Sequence, residues 1–179
     1  MKPYVALLRG IGPGNPNMRN DKLRAVFEDL GFSNVRTVIS SGNVLFESSS
    51  SAKRAMEAKV EAAFPRQLGF TSTTIIRSKA QIQALVDRDP FRGVEHSDKT
   101  HLNVTFLKRP PSRPFPYRPA SRGYTVLGLY GREVCSIVDL TGARTPDLMQ
   151  WLEKEFGKEI TTRTYKTVGR ILRKLNEQS

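Results

Sequence analysis

The sequence predicts an α+β protein made of two intimately packed ferredoxin-like subdomains, each of β-α-β-β-α-β type with an antiparallel sheet. Three observations carry this reading. Short runs rich in Val, Leu and Ile alternate with segments whose apolar residues recur every three or four positions. In residues 1–77 these follow the order strand, helix, strand, strand, helix, strand. The strands at 4–9 and 43–48 are apolar on both sides, with Tyr4, Ala6 and Leu8 against Val5 and Leu7, and Val44 and Phe46 against Leu45. Such strands are covered on both faces. An isolated unit of this kind leaves one face bare, so residues 78–179 are expected to cover the sheet of residues 1–77 in one compact body.

Each element follows from local pattern. "YVALLR" (4–9) is a strand and "GIGPGNPN" (10–17) a loop. "DKLRAVFEDLGF" (21–32) is a helix with Leu23, Val26, Phe27 and Leu30 on one face, Asn20 as its N-cap and Gly31 as its stop. "VRTVI" (35–39) and "NVLFES" (43–48) are strands joined by "SSG", a hairpin. Residues 49–64 form a Ser-capped helix with Met56, Val60, Ala63 and Phe64 inward, and "FTSTTIIR" (70–77) closes the unit. The second half opens with a Ser-capped helix from residue 78, then a strand at 101–107, a long loop at 108–122 and a hairpin over 124–140 turning at Gly131. A helix at 146–157 turns Leu148, Trp151, Leu152 and Phe156 inward. A short strand at "EITT" leads into a last helix from about Thr164 to Glu177. If strand 70–77 is shared, this half is a second, imperfect copy of the first, although the halves show no sequence identity.

Bulk properties bound the function. Of the 179 residues 38% are hydrophobic, enough for a globular core. No apolar run approaches the roughly 20 residues that span a bilayer, so membrane insertion is not expected. The start, "MKPYVALLRG", meets Arg9 too soon for a signal peptide. The single cysteine, Cys135, excludes an internal disulfide framework and fits a reducing cytoplasm; in the strand "REVCSIV" it reads as a buried thiol. The net charge of +12 points to nucleic acid, anionic lipid or phosphorylated ligands. The excess is spread: 11 Lys+Arg against 6 Asp+Glu in residues 1–77, and 18 against 11 in 78–179.

Topology gives the glycine-rich loop a neighbour. In this unit the first and third strands lie side by side, so "RGIGPGN" and "SSGN" meet at one sheet edge. Backbone N–H groups there, with Arg9, Gly10, Gly12, Gly14, Ser41, Gly42 and Asn43, suit an anion. The loop is neither a Walker A motif nor G-x-G-x-x-G, since position 15 is Asn, and Pro13 and Pro16 remove two donors. A second candidate is "ITTRTYKTVGRILRKL" (160–175). Thr162 or Thr164 caps its helix, Tyr165, Val168, Ile171, Leu172 and Leu175 form an apolar face, and Arg163, Lys166, Arg170, Arg173 and Lys174 lie on the other side. Thr162, Arg163, Lys166 and Thr167 at the helix start are the anion candidates.

These stretches, "YVALLRGIGPGN", "VISSGNVLFES" and "ITTRTYKTVGRIL", together resemble the bacterial family catalogued as domain of unknown function 1697. Its members typically begin Y-V-A-L-L-R-G-I-N-V-G-G, continue with S-G-N-V-x-F and end near T-x-R-N-W-x-T-V-x-K-L. "DPF" (89–91) and "HLNVTFL" (101–107) look like the family's middle. The chain keeps Arg9, Gly10, Ile11 and Gly14, then Ser41, Gly42, Asn43, Val44 and Phe46, then Thr162, Arg163, Thr167 and Val168. It departs with Gly12, Pro13 and Asn15 in the first motif and Thr164, Tyr165 and Lys166 in the last. The resemblance implies a bacterial α+β protein of ferredoxin-like subdomains and no established activity.

Other chemistry is sparse. His96, His101 and Asp98 sit in a polar stretch without zinc-type spacing, so neither metal nor cofactor is expected. No G-x-S-x-G elbow accompanies the serines, and no carboxylates pair as acid and base. The loop "KRPPSRPFPYRPASR" is basic, proline-rich and free of acid. Lys108, Arg109, Arg113 and Arg118 there, with Arg170, Arg173 and Lys174, are candidate phosphate contacts, and Phe115 and Tyr117 candidate stacking platforms. The expected function is therefore a non-enzymatic binder of a phosphate-bearing ligand, nucleic acid or a phosphorylated small molecule. The alternative is an enzyme or small-molecule binder with a nucleotide-like ligand in a cleft formed by the RGIGPGN, SSGN and TTRTYKTV motifs. Oligomeric state is not specified by the sequence.

Overall fold

The computed structural model describes residues 1–115, 123–142 and 147–177. The chain falls into two compact units, Met1–Gln83 with the residues from Arg170 onward, and Ala84–Gly169.

The first unit contains β1 (Lys2–Leu8), α1 (Asn20–Asp29), β2 (Ser33–Thr37), β3 (Asn43–Ser48), α2 (Lys53–Leu68) and β4 (Thr74–Ser78). Its four strands are ordered β2-β3-β1-β4, with β1 antiparallel to both neighbours in the register Val5↔Leu45 and Val5↔Arg77. One face carries Tyr4, Ala6, Leu8, Val44, Phe46 and Ile76 into a core with Leu23, Val26 and Phe27 of α1 and Met56, Val60, Ala63 and Phe64 of α2. Phe46 stands at its centre, its ring 4.6 to 5.6 Å from those of Phe32, Phe27 and Tyr4. On the opposite face Val5, Leu7, Leu45 and Ile75 are also fully buried, the two-sided burial that the strand composition predicts.

α1 ends in a Schellman motif: Phe32 N–H donates to Phe27 O and Gly31 N–H to Glu28 O, with Gly31 at φ +84°. The two phenylalanines close the motif, their rings 5.8 Å apart. At the other end Arg19, not Asn20, holds the cap position without a side-chain bond. A short 3₁₀ turn at Pro16–Met18 feeds straight into the helix, and the Asn20 amide donates instead to Ile39 O at 3.1 Å. α2 likewise has Ala52 at its cap and no side-chain cap, because the Ser48 and Ser50 hydroxyls accept from Ser50 and Ala52 N–H in the lead-in chain. β4 starts later than the residues suggest, since Phe70 stacks on Phe64 at 5.3 Å.

α3 (Lys79–Asp87) follows, and the second unit then contributes β5 (Thr100–Leu107), β6 (Tyr124–Tyr130), β7 (Glu133–Asp139), α4 (Leu148–Phe156) and β8 (Ile160–Thr164) before α5 (Tyr165–Asn176). The division between units falls inside α3 and inside α5. The second sheet is ordered β6-β7-β5-β8. This repeats the plan of the first, β5 standing for β1, β7 for β3, β6 for β2 and β8 for β4. Strand β4 is therefore not shared: it pairs in the first sheet, and β8 fills the matching edge of the second. One face packs Leu107, Tyr124, Val126, Val134 and Val138 against Leu148, Trp151 and Leu152 of α4. Where the first unit places α1, the described part of the β5–β6 connection holds no helix, and Phe115 packs against that core instead.

Candidate anion-binding site

The edge that topology predicts is formed. Leu7 pairs with Asn43, and Leu8 N–H donates to Gly42 O at 2.9 Å. A Cβ on Gly42 would lie 2.7 Å from Ile11 Cγ1 and 3.0 Å from Leu8 Cβ, and its φ is +77°. Only glycine lets the first loop lie down on the hairpin. Arg9 is fixed by its backbone, N–H to Thr73 O at 2.9 Å and carbonyl from the Ser72 hydroxyl at 2.7 Å. The loop beyond is open: a Cβ on Gly10, Gly12 or Gly14 meets nothing within 4 Å. Among the described residues no acceptor engages the N–H groups of Gly10, Ile11, Gly12 or Gly14.

Asn43 is used otherwise. Fully buried, its amide donates to Val38 O at 3.0 Å and Ser41 Oγ at 2.9 Å, clasping the hairpin turn. The clasp holds Ile39 at φ +50°, a conformation that costs a β-branched residue about 1–2 kcal/mol.

In the second unit the ITTRT stretch is strand β8, and Thr164 alone caps α5, its hydroxyl accepting from Thr167 N–H at 3.2 Å and meeting the Thr167 hydroxyl at 3.0 Å. The Thr162 hydroxyl bonds that of Thr105 across the sheet at 2.8 Å. Arg163 is not on the basic face of the helix. It pairs with Val104, is 8% exposed and donates to Thr161 Oγ1 at 2.7 Å and Thr162 O at 3.0 Å. Burial pulls its pKa down to about 10. Arg77 of β4 holds the same register place opposite Val5, is 2% exposed and donates to Ile76 O. Reading the sequence missed Arg77. Its signal was the parallel between "IIRS" and "TTRT", a buried arginine followed by a hydroxyl that caps a helix.

The model of the family described as Protein of unknown function (DUF1697) matches residues 1–118. The chain belongs to that family. The match takes in the first unit up to Gln83 and the start of the second, and ends before the ITTRTYKTVGRIL stretch. A conserved bacterial protein, SP0830 from Streptococcus pneumoniae, has a structure similar over 98% of this chain and 99% of its own, with a TM-score of 0.75 and 20% identity. This likeness shows a common fold of two four-stranded antiparallel sheets. No curated protein matches the chain. Among the described residues no helix is long and apolar enough to cross a membrane.

In this DUF1697 protein several candidate nucleic-acid contacts are engaged. Arg113 pairs with Glu155, and Arg109 and Lys108 reach Glu159 at 3.2 and 4.0 Å. Phe115 stacks on Phe156 with centroids 6.1 Å apart and planes 10° from parallel, so its face is turned to the core. Tyr117 and Arg118 lie outside the described residues. Lys174 pairs with Glu177, and its carbonyl accepts from Arg36 at 2.7 Å, while Arg170 and Arg173 are exposed. His96 and His101 stack at 4.9 Å, and His96 Nδ1 accepts from Leu102 N–H. Burial, then His101 and Lys166, hold the His96 pKa down against Asp98. Among the described residues no three His, Cys, Asp or Glu could hold a metal ion. Burial and then Glu133 push the Cys135 thiol up to about 12, so it is not a nucleophile at neutral pH.

Sequence reading also missed a cleft of about 570 Å³ at the other end of β1, lined by Lys2, Lys53 and Lys79 with Pro3, Tyr4 and Ala80. Its signal was weak: each lysine opens an element, β1, α2 or α3, and nothing in the linear pattern joins them.

Proposed function

We propose that this protein binds, without transforming it, a phosphate-bearing ligand at the edge where the glycine loop lies on the β2–β3 hairpin. The observation that carries this is the open backbone of residues 10–14, whose N–H groups are unspent and whose glycines leave room for close approach. A phosphate oxygen accepts several such donors at once, and Arg9 beside the loop adds charge. Ser41 and the pinned Gly42 fix the edge rather than reach outward. Single-stranded RNA is the polymeric form of the same chemistry, but the ion pairs of Lys108, Arg109 and Arg113 favour a small phosphorylated molecule.

The test is an amide-resolved NMR titration with inorganic phosphate. Saturable shifts at Gly10, Gly12 and Gly14 are expected. Gly12→Ala should weaken them, since its Cβ has space in the free protein and narrows the approach. Shifts that scatter over surface lysines and fade with added salt would refute the site.

A further inference from the structure

We propose that the cleft formed by Lys2, Lys53 and Lys79 is a second anion site, one that takes a phosphomonoester carrying an apolar body. It stands apart from the glycine edge, at the start of β1 rather than its end, and does not rest on that reading.

Three elements distant in sequence deliver the three lysines. Lys2 opens β1 opposite Ser48, Lys53 opens α2 and Lys79 opens α3. Tyr4, in register with both Phe46 and Ser78, ties the strands between them. No carboxylate lines the cleft. Three lysines line one concavity, and an anion bound there is attracted by the charge of all three. The field has a second source. α2 is a 16-residue helix with no side-chain cap and no acid in its first turn, so the positive end of its dipole stands beside Lys53 uncompensated. α3, by contrast, is closed by a capping box: Ser78 N–H donates to Gln81 Oε1 at 2.9 Å, and Gln81 N–H to Ser78 Oγ at 3.3 Å.

The rest of the lining defines what the anion is attached to. Pro3 and Ala80 are apolar, and Tyr4, 2% exposed, spends its hydroxyl on Ser50 O at 2.9 Å, so none of the three presents a polar side-chain atom to the cleft. Ser51, Ser78 and Gln83 are the remaining polar residues of the lining. A volume of about 570 Å³ is far more than a bare phosphate fills and lies in the ordinary range for small-molecule sites. A dianionic head held by lysines and a flat or aliphatic body against Pro3, Tyr4 and Ala80 satisfy both halves of the lining.

The test is an amide-resolved NMR titration of the whole chain with phenyl phosphate and, separately, inorganic phosphate. Phenyl phosphate should shift the amides of Lys53, Lys79 and Ala80 saturably and bind several-fold tighter than inorganic phosphate. The double variant Lys53→Ala with Lys79→Ala should lose at least tenfold in affinity, and Lys79→Arg should keep most of it. The amides of Gly10, Gly12 and Gly14 report the other site, so each reading can fail alone. Equal affinity for the two probes would overturn the apolar body. Unchanged affinity in the double variant, with its spectrum otherwise native, would overturn the site.

Discussion

The two sheets follow one plan, and their hairpin turns show what differs. Gly42 closes the β2–β3 hairpin of the first unit and Gly131 the β6–β7 hairpin of the second, at φ +77° and +67°. At Gly42 an added Cβ strikes Ile11 and Leu8, whereas at Gly131 it meets only the end of the Glu133 side chain at 3.3 Å. One turn is a bed for another loop, and the other is a turn. Buried arginines Arg77 and Arg163 hold equivalent places at the sheet edges, and Leu45 and Cys135 equivalent places opposite Val5 and Val104. Repeated positions carry the scaffold. What one unit alone has, the glycine loop and the lysine cleft, is where a ligand is proposed.

The largest expected effect separates the two cores. Phe46→Ala removes a fully buried ring from the midst of three others, and should cost about 3–5 kcal/mol in urea unfolding. Trp151, 9% exposed and in contact with Phe156 edge-on, should cost less when cut to Ala. The reverse order would show that the core built on α4 in the second unit is the tighter one.

Next come the turns. Gly42→Ala should destabilise by about 2–4 kcal/mol, the left-handed backbone and the overlap with Ile11 adding together. Gly131→Ala should cost only the backbone share, about 1 kcal/mol, because the Glu133 carboxylate can swing away. Combining Gly42→Ala with Ile11→Ala should recover part of the loss, and strict additivity would show that the close approach carries no energy.

The third effect depends on pH. The Cys135 thiol has a pKa raised from 9.0 to about 12 in the folded chain. Below pH 9 the thiol is neutral in both states, and it does not affect stability. Above pH 9 the unfolded thiol ionises while the buried one does not, so folding loses about 1.4 kcal/mol per pH unit until about pH 12. Cys135→Val should remove this alkaline loss, making the variant about 2 kcal/mol less sensitive by pH 10.5. A wild type and variant with parallel stability curves from pH 8 to 10.5 would contradict the burial argument.

The strands and the contact between the glycine loop and the hairpin were legible because two-sided apolar runs and glycines at turns act locally. Side-chain economy was not. Asn43 and Arg163, read as ligand donors, are committed within the fold to a turn and a strand, since a polar residue's partner depends on tertiary neighbours that periodicity does not encode. Asn20 and the serines before α2 were read as caps from composition, yet the entering chain set other bonds. The lysine cleft escaped because Lys2, Lys53 and Lys79 meet only once the sheet is folded.

The smallest effect tests the repeated strand–helix junction. Thr164 closes α5 through its hydroxyl, which accepts from Thr167 N–H and meets the Thr167 hydroxyl. Thr164→Ala removes both and should cost about 1–2 kcal/mol. Ser78→Ala at the start of α3 removes one half of a capping box, but Gln81 Oε1 still accepts from the backbone N–H of residue 78, so the loss should be about 0.5–1 kcal/mol. Adding Gln81→Ala then takes away the second half, and the pair should be coupled by several tenths of a kcal/mol in a double-mutant cycle. Equal losses at Thr164 and Ser78 would mean that the reciprocal bond of Gln81 contributes nothing, and that the two junctions are alike in energy as well as in register.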